Sequence, residues 1–186
     1  MYTGLAGIFA ASLDDSGAEP TYSDGFQVGE GMTTQIQPQY AEGSLNGDNR
    51  RVKYKKVFKN ANVTLGVTTL PKNAQSVMFG RTAGKDGEVV STSKDVSKYV
   101  GLGLYATEED SSSDTEKYTA VWLFKVKFDD PGDDFETRGD NIVFKTPSLS
   151  GSAETLADGR WRAKKQFDTE AEAVTWLKTK AGISVG

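Results

Sequence analysis

The side chains best equipped for chemistry in this sequence are carboxylates, and they fall in two groups. Glu108, Glu109 and Asp110 open an acidic, Ser-rich stretch that runs to Glu116, and Asp129, Asp130, Asp133, Asp134 and Glu136 surround Pro131-Gly132. Paired carboxylates can act as the acid and the nucleophile or base of a glycosidase, and carboxylates on a turn can hold a hard cation such as calcium. Neither group has the spacing of a known calcium loop, and nothing in the sequence gives either a pocket, so both read as solvated acidic turns. The chain has no cysteine and no histidine. That removes thiol nucleophiles, disulfides, typical zinc sites, the usual serine-hydrolase triad and the side chain best suited to proton transfer near neutrality. Gly101-Leu102-Gly103 is too short for a phosphate loop and marks a bend or a close strand approach instead. Asn62-Val63-Thr64 matches a glycosylation acceptor but lies in a strand pattern. The expectation is a protein with no catalytic residue, cofactor or metal.

The most concentrated charge is basic: Arg50, Arg51, Lys53, Lys55, Lys56 and Lys59, interleaved with Tyr54 and Phe58. Basic and aromatic residues in alternation can bind single-stranded nucleic acid. The net charge of −4 and a pI near 5.0 oppose sequence-independent binding, which needs a basic footprint. One basic stripe beside several acidic loops suits head-to-tail contact between identical subunits.

These residues need a scaffold, and the patterning is mainly that of antiparallel strands. Strands are expected at Leu5–Leu13, Met32–Tyr40 (with Pro38 restricting it to an edge), Arg51–Phe58 and its hairpin partner Ala61–Val67. Others follow at Tyr99–Thr107, from Tyr118 to Phe128, at Asn141–Leu149 and at Trp161–Phe167. In the Tyr118 strand, Trp122, Phe124, Val126 and Phe128 share one face and Val121, Leu123, Lys125 and Lys127 the other. Asp14–Gly25 and Gly43–Asn49 read as polar loops, the latter around an Asn46-Gly47 turn. Pro71 begins a short helix with Ala74, Val77 and Met78 on one face and Gly80 at its end. Thr169 and Glu172 form a capping box for a C-terminal helix whose buried stripe is Val174, Leu177 and Ala181, helped by Ala173 and Trp176. No internal repeat, signal-peptide pattern or membrane-length apolar run is visible. One domain is expected over residues 1–186, with an extended loop near 43–51 and a strand–helix segment at 160–183.

The order of segments resembles the phi13-type major tail protein family of siphophages. The matching pieces are Tyr40-Ala41-Glu42-Gly43-Ser44-Leu45 followed by Asp48 and Arg50, then Val63-Thr64-Leu65-Gly66-Val67, Leu70-Pro71 and Tyr99-Val100-Gly101-Leu102-Gly103. Further along come Ala120-Val121-Trp122-Leu123, Lys125-Val126-Lys127-Phe128, Thr137-Arg138-Gly139-Asp140 and Phe167-Asp168-Thr169-Glu170-Ala171-Glu172-Ala173. Their collinear order covers roughly Gly4 to Ile183; Gly43–Arg51 departs by being more polar. The resemblance implies an antiparallel β-sandwich or barrel-like tail tube fold. It also implies hexameric rings stacking into a conduit for DNA in a virion assembled in the host cytoplasm, with tape measure, tail terminator and tail tip proteins as partners and no membrane. Subunit or ring contacts are then expected from Tyr40, Glu42, Leu45, Asp48, Arg50, Arg51, Lys53 and Lys55. Glu108, Glu109, Asp110, Asp129, Asp130, Asp133 and Asp134 would lie on the bore or an outer surface, where acidity repels a phosphate backbone. Alternatives are a Hcp-like tube subunit of a secretion or contractile system and a monomeric carbohydrate- or host-surface-binding β-sandwich. The last would show an exposed aromatic platform, for which only Trp161 is free in the pattern.

Overall fold

A computed structural model describes residues 1–48, 50–84, 86–110, 113–132 and 146–184, and within these leaves undescribed the side chains of residues 46, 47, 51, 83, 110, 113 and 114. In chain order the elements are β1 (Tyr2–Asp14), β2 (Thr21–Gln27), β3 (Gly31–Gly47), β4 (Arg50–Val67), α1 (Lys72–Val77), β5 (Thr82–Ala83) and β6 (Val89–Val90). They continue with β7 (Val100–Asp110), β8 (Ser113–Phe128), β9 (Ser148–Glu154), β10 (Arg162–Phe167) and α2 (Glu170–Lys180). Eight strands form one antiparallel sheet in the order β2-β1-β7-β8-β9-β4-β3, with β10 as an additional partner of β8. The fold is thus mainly β with a short mid-chain helix and a C-terminal helix, as the patterning predicts, and it is consistent with the sandwich- or barrel-like architecture that the resemblance implies.

The sheet curls until β3 meets β1. A Cβ built on Gly31 would lie 2.7 Å from Ile8 Cδ1 and 3.2 Å from Leu5 Cδ2. Inside the curl, Ile8, Val63, Leu65, Leu102, Leu123, Val126, Phe128 and Leu149 form the main core, joined by Ala74 of α1 and by Met78 directly after it. A second core lies on the outer face, where Ala173 and Leu177 of α2 and Ala181 at its C-terminal end cover Phe9, Tyr105, Trp122 and Phe124. The Thr169 hydroxyl caps α2 by accepting from the Glu172 amide at 3.4 Å, which is the capping-box end foreseen at that position.

β8 serves both cores through one irregularity. Leu102 pairs with Leu123 but Val100 pairs with Val126, so β8 carries one residue more than β7 in this interval. Such a bulge reverses side-chain alternation. Trp122 and Phe124 therefore face α2, whereas Val126 and Phe128 face the interior with Leu123. This corrects the single face predicted for those four aromatic and aliphatic residues. The strand's partner changes at the same place: β10 pairs with Tyr118–Leu123 and β9 with Lys125–Phe128.

Trp122 can lie flat against β7 because of Gly101 and Gly103. A Cβ at Gly101 would sit 2.4 Å from the indole, and one at Gly103 would sit 2.7 Å from the indole and 2.8 Å from Leu177. This is the close strand approach expected of that Gly-Leu-Gly sequence. Tyr22 meets the same indole edge-on at 5.1 Å between ring centroids.

Three other differences concern boundaries. The expected hairpin between Arg51–Phe58 and Ala61–Val67 is one continuous strand, β4, whose actual partner is β3. The expected loop at Gly43–Asn49 continues the β3–β4 ladder, with register pairs out to Gly47 and Arg50. Thr21–Gly25, the last part of the stretch read as a polar loop, belongs to the edge strand β2, which runs to Gln27. Among the described residues β3 ends the sheet, which puts Pro38 on an edge strand. The predicted strand Asn141–Leu149 falls outside the described residues up to 145, and β9 runs on from Ser148 to Glu154.

Candidate subunit interface

The basic residues singled out in the sequence lie on a two-stranded arm. Beyond Tyr40 and Phe58, β3 and β4 leave the body, and every described side chain from 41 to 57 is exposed. Seven residue steps from Tyr40 to Gly47 at about 3.3 Å each give an arm on the order of 23 Å long. A bulge at its root, where Gln39 pairs with Asn60 but Tyr40 pairs with Phe58, sets which face each side chain takes.

One face continues the interior side of the sheet. Tyr40, Glu42, Tyr54, Lys56 and Phe58 are cross-strand neighbours there. Lys56 is 2.9 Å from Glu42 and its ammonium lies 4.5 Å from the Tyr40 ring centroid. The hydrogen bond to Glu42 holds the Lys56 ammonium above its usual pKa. Partial loss of hydration, followed by its own hydrogen bond to Glu42, raises the Tyr54 phenol. At the root, Phe58 meets Tyr40 edge-on and stacks on Trp161 at 4.8 Å. The Arg162 guanidinium lies over the Trp161 ring, 4.5 Å from its centroid.

The opposite face is bare. Leu45 pairs with Lys53, Gly43 with Lys55 and Ala41 with Val57. Leu45 is 62% exposed and Val57 48%, and neither Lys53 nor Lys55 has a carboxylate partner among the described residues. Asp48 turns the tip with φ 50°, and Arg50 beside it is exposed. Arg51 belongs to β4, with its side chain outside the description. The sequence reading named Tyr40, Glu42, Leu45, Lys53 and Lys55 as contacts and left out Val57, although strand alternation already put Val57 on the face of Lys53 and Lys55; the β3–β4 register adds that this is also Leu45's face.

Residues 40–59 hold six basic and two acidic side chains, a net +4. The remaining 16 basic and 24 acidic residues leave the rest of the chain at −8. The antiparallel order fixes where those acids are. At the arm's own end, β7 and β8 form a second hairpin with Glu108 and Glu109 near its tip. Thr119 and Gln166 donate to Glu108 at 2.8 and 3.1 Å, and the Thr119 bond holds that carboxyl below the usual range. The amino terminus reaches the Glu109 carbonyl at 2.6 Å. Asp110 lies in β7 with its side chain undescribed.

Asp129 and Asp130 follow the last residue of β8, so they lie at the end of the sheet opposite the arm tip. Asp130 is paired with Arg81; Asp133 and Asp134 lie outside the described residues. Among the described residues, no group of three or more acidic side chains converges to hold a metal, and no helix is long and apolar enough to cross a membrane. Trp122 is fully buried, and Trp161 and Trp176 are half-buried against Phe58 and Phe167.

The class these features define is a mainly β protein with a projecting, apolar and basic two-stranded arm and acidic surfaces at both ends of its sheet. Comparison with known proteins finds no matching family model and no matching characterised relative.

Proposed function

We propose that the chain is a structural subunit that assembles with copies of itself into stacked rings, the tail tube of a long-tailed phage. In the virion that tube would carry the genome and meet tape measure, terminator and tip proteins. The observation that carries this reading is the arm's bare face. An isolated two-stranded ribbon is marginal in water, and one that also exposes Leu45 and Val57 between unpaired lysines gains most from being covered. A partner with acidic character suits Lys53 and Lys55. A second copy offers it twice: on the Glu108–Glu109 hairpin of a neighbour alongside, and on the Asp129–Asp130 end of a copy stacked above. Contacts between different patches of identical subunits close into rings or propagate as filaments. The collinear resemblance to siphophage major tail proteins points to a tube of hexameric rings, and a subunit at −4 gives an acidic ring suited to DNA transit.

Charge reversal at Lys53→Glu and Lys55→Glu tests this. Negative-stain microscopy of the wild type should show tubes or rings of uniform width, and the double variant should remain unassembled at the same concentration. Unchanged tubes in the variant, or a wild type that stays monomeric at high concentration, would sink the reading.

A further inference from the structure

The curl of the sheet leaves a cavity as well as a core. Beyond the contact at Gly31, Tyr2–Leu5 of β1 and Met32–Ile36 of β3 border a cleft of about 630 Å³, within the size range of small-molecule sites. Leu5, Met32, Ile36, Leu104 and Val121 make its walls largely apolar. The charged residues that line it are Arg162 and Lys164 of β10, both cationic and both exposed.

Strand register brings these two cations together. Arg162 and Lys164 lie two residues apart on β10, opposite Leu123 and Val121, so both take the interior side of the sheet, which Leu123 marks as a member of the main core. The Arg162 guanidinium lies over the Trp161 ring, an arrangement that leaves its N–H edge free for a two-point bond to a carboxylate. Lys164 donates to the Tyr2 hydroxyl, and its ammonium lies 5.1 Å from the Tyr2 ring centroid. Neither cation forms an ion pair among the described residues. Glu108, farther along the same side toward the hairpin tip, is already engaged by Thr119 and Gln166.

We propose that this cleft binds an amphipathic carboxylate of the fatty-acid class, with its head group between Arg162 and Lys164 and its alkyl chain along the apolar walls. Charge selects the head: a basic pair without an ion partner gains from an anion, and the planar guanidinium fork matches a carboxylate. The walls select the tail, since an alkyl chain leaves water there without requiring hydrogen bonds. From Met32 to Ile36 the β3 wall runs roughly 13 Å at about 3.3 Å per residue. A neutral sugar or a short anion would use only one of these two halves. The inference goes beyond the assembly reading and does not depend on it.

Equilibrium dialysis with radiolabelled decanoate tests the site. One decanoate should bind per chain, and both decanol, which keeps the tail, and acetate, which keeps the head, should bind at least about tenfold more weakly. Arg162→Gln with Lys164→Gln should weaken decanoate at least about tenfold and leave decanol unchanged. Met32→Asp, at a position 52% exposed, sets a carboxylate in the apolar wall and should also weaken decanoate. These variants alter different walls at exposed positions, so their thermal melts should match the wild type. The arm is the other place where apolar and basic side chains lie together. The Lys53→Glu/Lys55→Glu variant should therefore keep full affinity, and it allows the cleft to be read in a chain expected to stay unassembled. Decanoate that binds neither wild type nor the arm variant, that binds no better than decanol, that persists in both cleft variants, or that is lost with the arm lysines overturns the proposal. None of these results touches the tube reading, which microscopy decides.

Discussion

Leu45→Ser isolates what the arm's bare face contributes to assembly. Leu45 is 62% exposed, and full burial of a leucine side chain is worth about 2 kcal/mol, so covering what remains exposed is worth about 1.2 kcal/mol per copy. In a ring whose copies engage together, roughly six such terms add to about 7 kcal/mol per stacking step. At 1.4 kcal/mol per tenfold, that is about five powers of ten in the equilibrium constant. The substitution brings no charge and removes no core contact, so the subunit's own stability should move by no more than about 0.5 kcal/mol. Static light scattering over a concentration series locates the onset of assembly, and thermal unfolding of the dilute protein supplies the control. Wild-type onset with an unchanged melt would refute the claim that this face is covered in the assembly. A lowered melt would place Leu45 in the fold instead of at an interface.

Three further outcomes test the scaffold. Gly103→Ala pushes a methyl into Trp122 and Leu177 and should cost about 1–3 kcal/mol, seen in denaturant unfolding and relieved by adding Trp122→Leu; equal costs in both backgrounds would contradict the packing described. Thr169→Ala removes the cap of α2 and should cost about 1 kcal/mol, lowering Tm by roughly 2–4 °C, with no change if the capping bond is immaterial. Burial pushes the Tyr22 phenol up to about 12, and its hydroxyl donates to the Phe124 carbonyl at 2.8 Å. The unfolded phenol ionises near 10, so the folded state keeps the proton longer. This contribution is complete below pH 10 and is lost as pH rises toward 12. Denaturant titrations across that window should show a shallower decline for Tyr22→Phe, and identical slopes would exclude the assignment.

Fold class was legible because period-two alternation survives along most strands and because Thr169 and Glu172 mark the start of α2 with an unambiguous capping signal. What escaped the sequence has a common physical cause. A bulge changes the phase of alternation without changing composition, so Trp122-Leu123-Phe124-Lys125-Val126-Lys127-Phe128 reads as one uninterrupted strand with two clean faces while the structure divides it. The polar stretch Gly43–Asn49 looked like a loop because Leu45 is its single apolar side chain beyond glycine, yet a ladder needs only backbone groups and a turn at its tip. At the interface the lysines were visible as a cluster, but which of them are paired was not. Glu42 takes Lys56 across the strands, leaving Lys53 and Lys55 on the side that carries Leu45 and Val57. The cleft was invisible, since Tyr2, Met32 and Lys164 come together only through the curl of the sheet.

The bulge in β8 has a mechanical consequence. A pull on the arm along its length enters β4, crosses to β9 through the pairs from Ala61–Ala153 to Gly66–Ser148, and reaches β8 at Lys125–Phe128. Ladder hydrogen bonds lie across the strands, so tension of this kind strains the whole row together instead of opening it one bond at a time. The residues of β8 that α2 covers, Trp122 and Phe124 among them, lie on the near side of the bulge, and their edge partner there is β10. Axial tension between stacked copies would thus travel through the curled sheet, while the helical layer stays beside the load path.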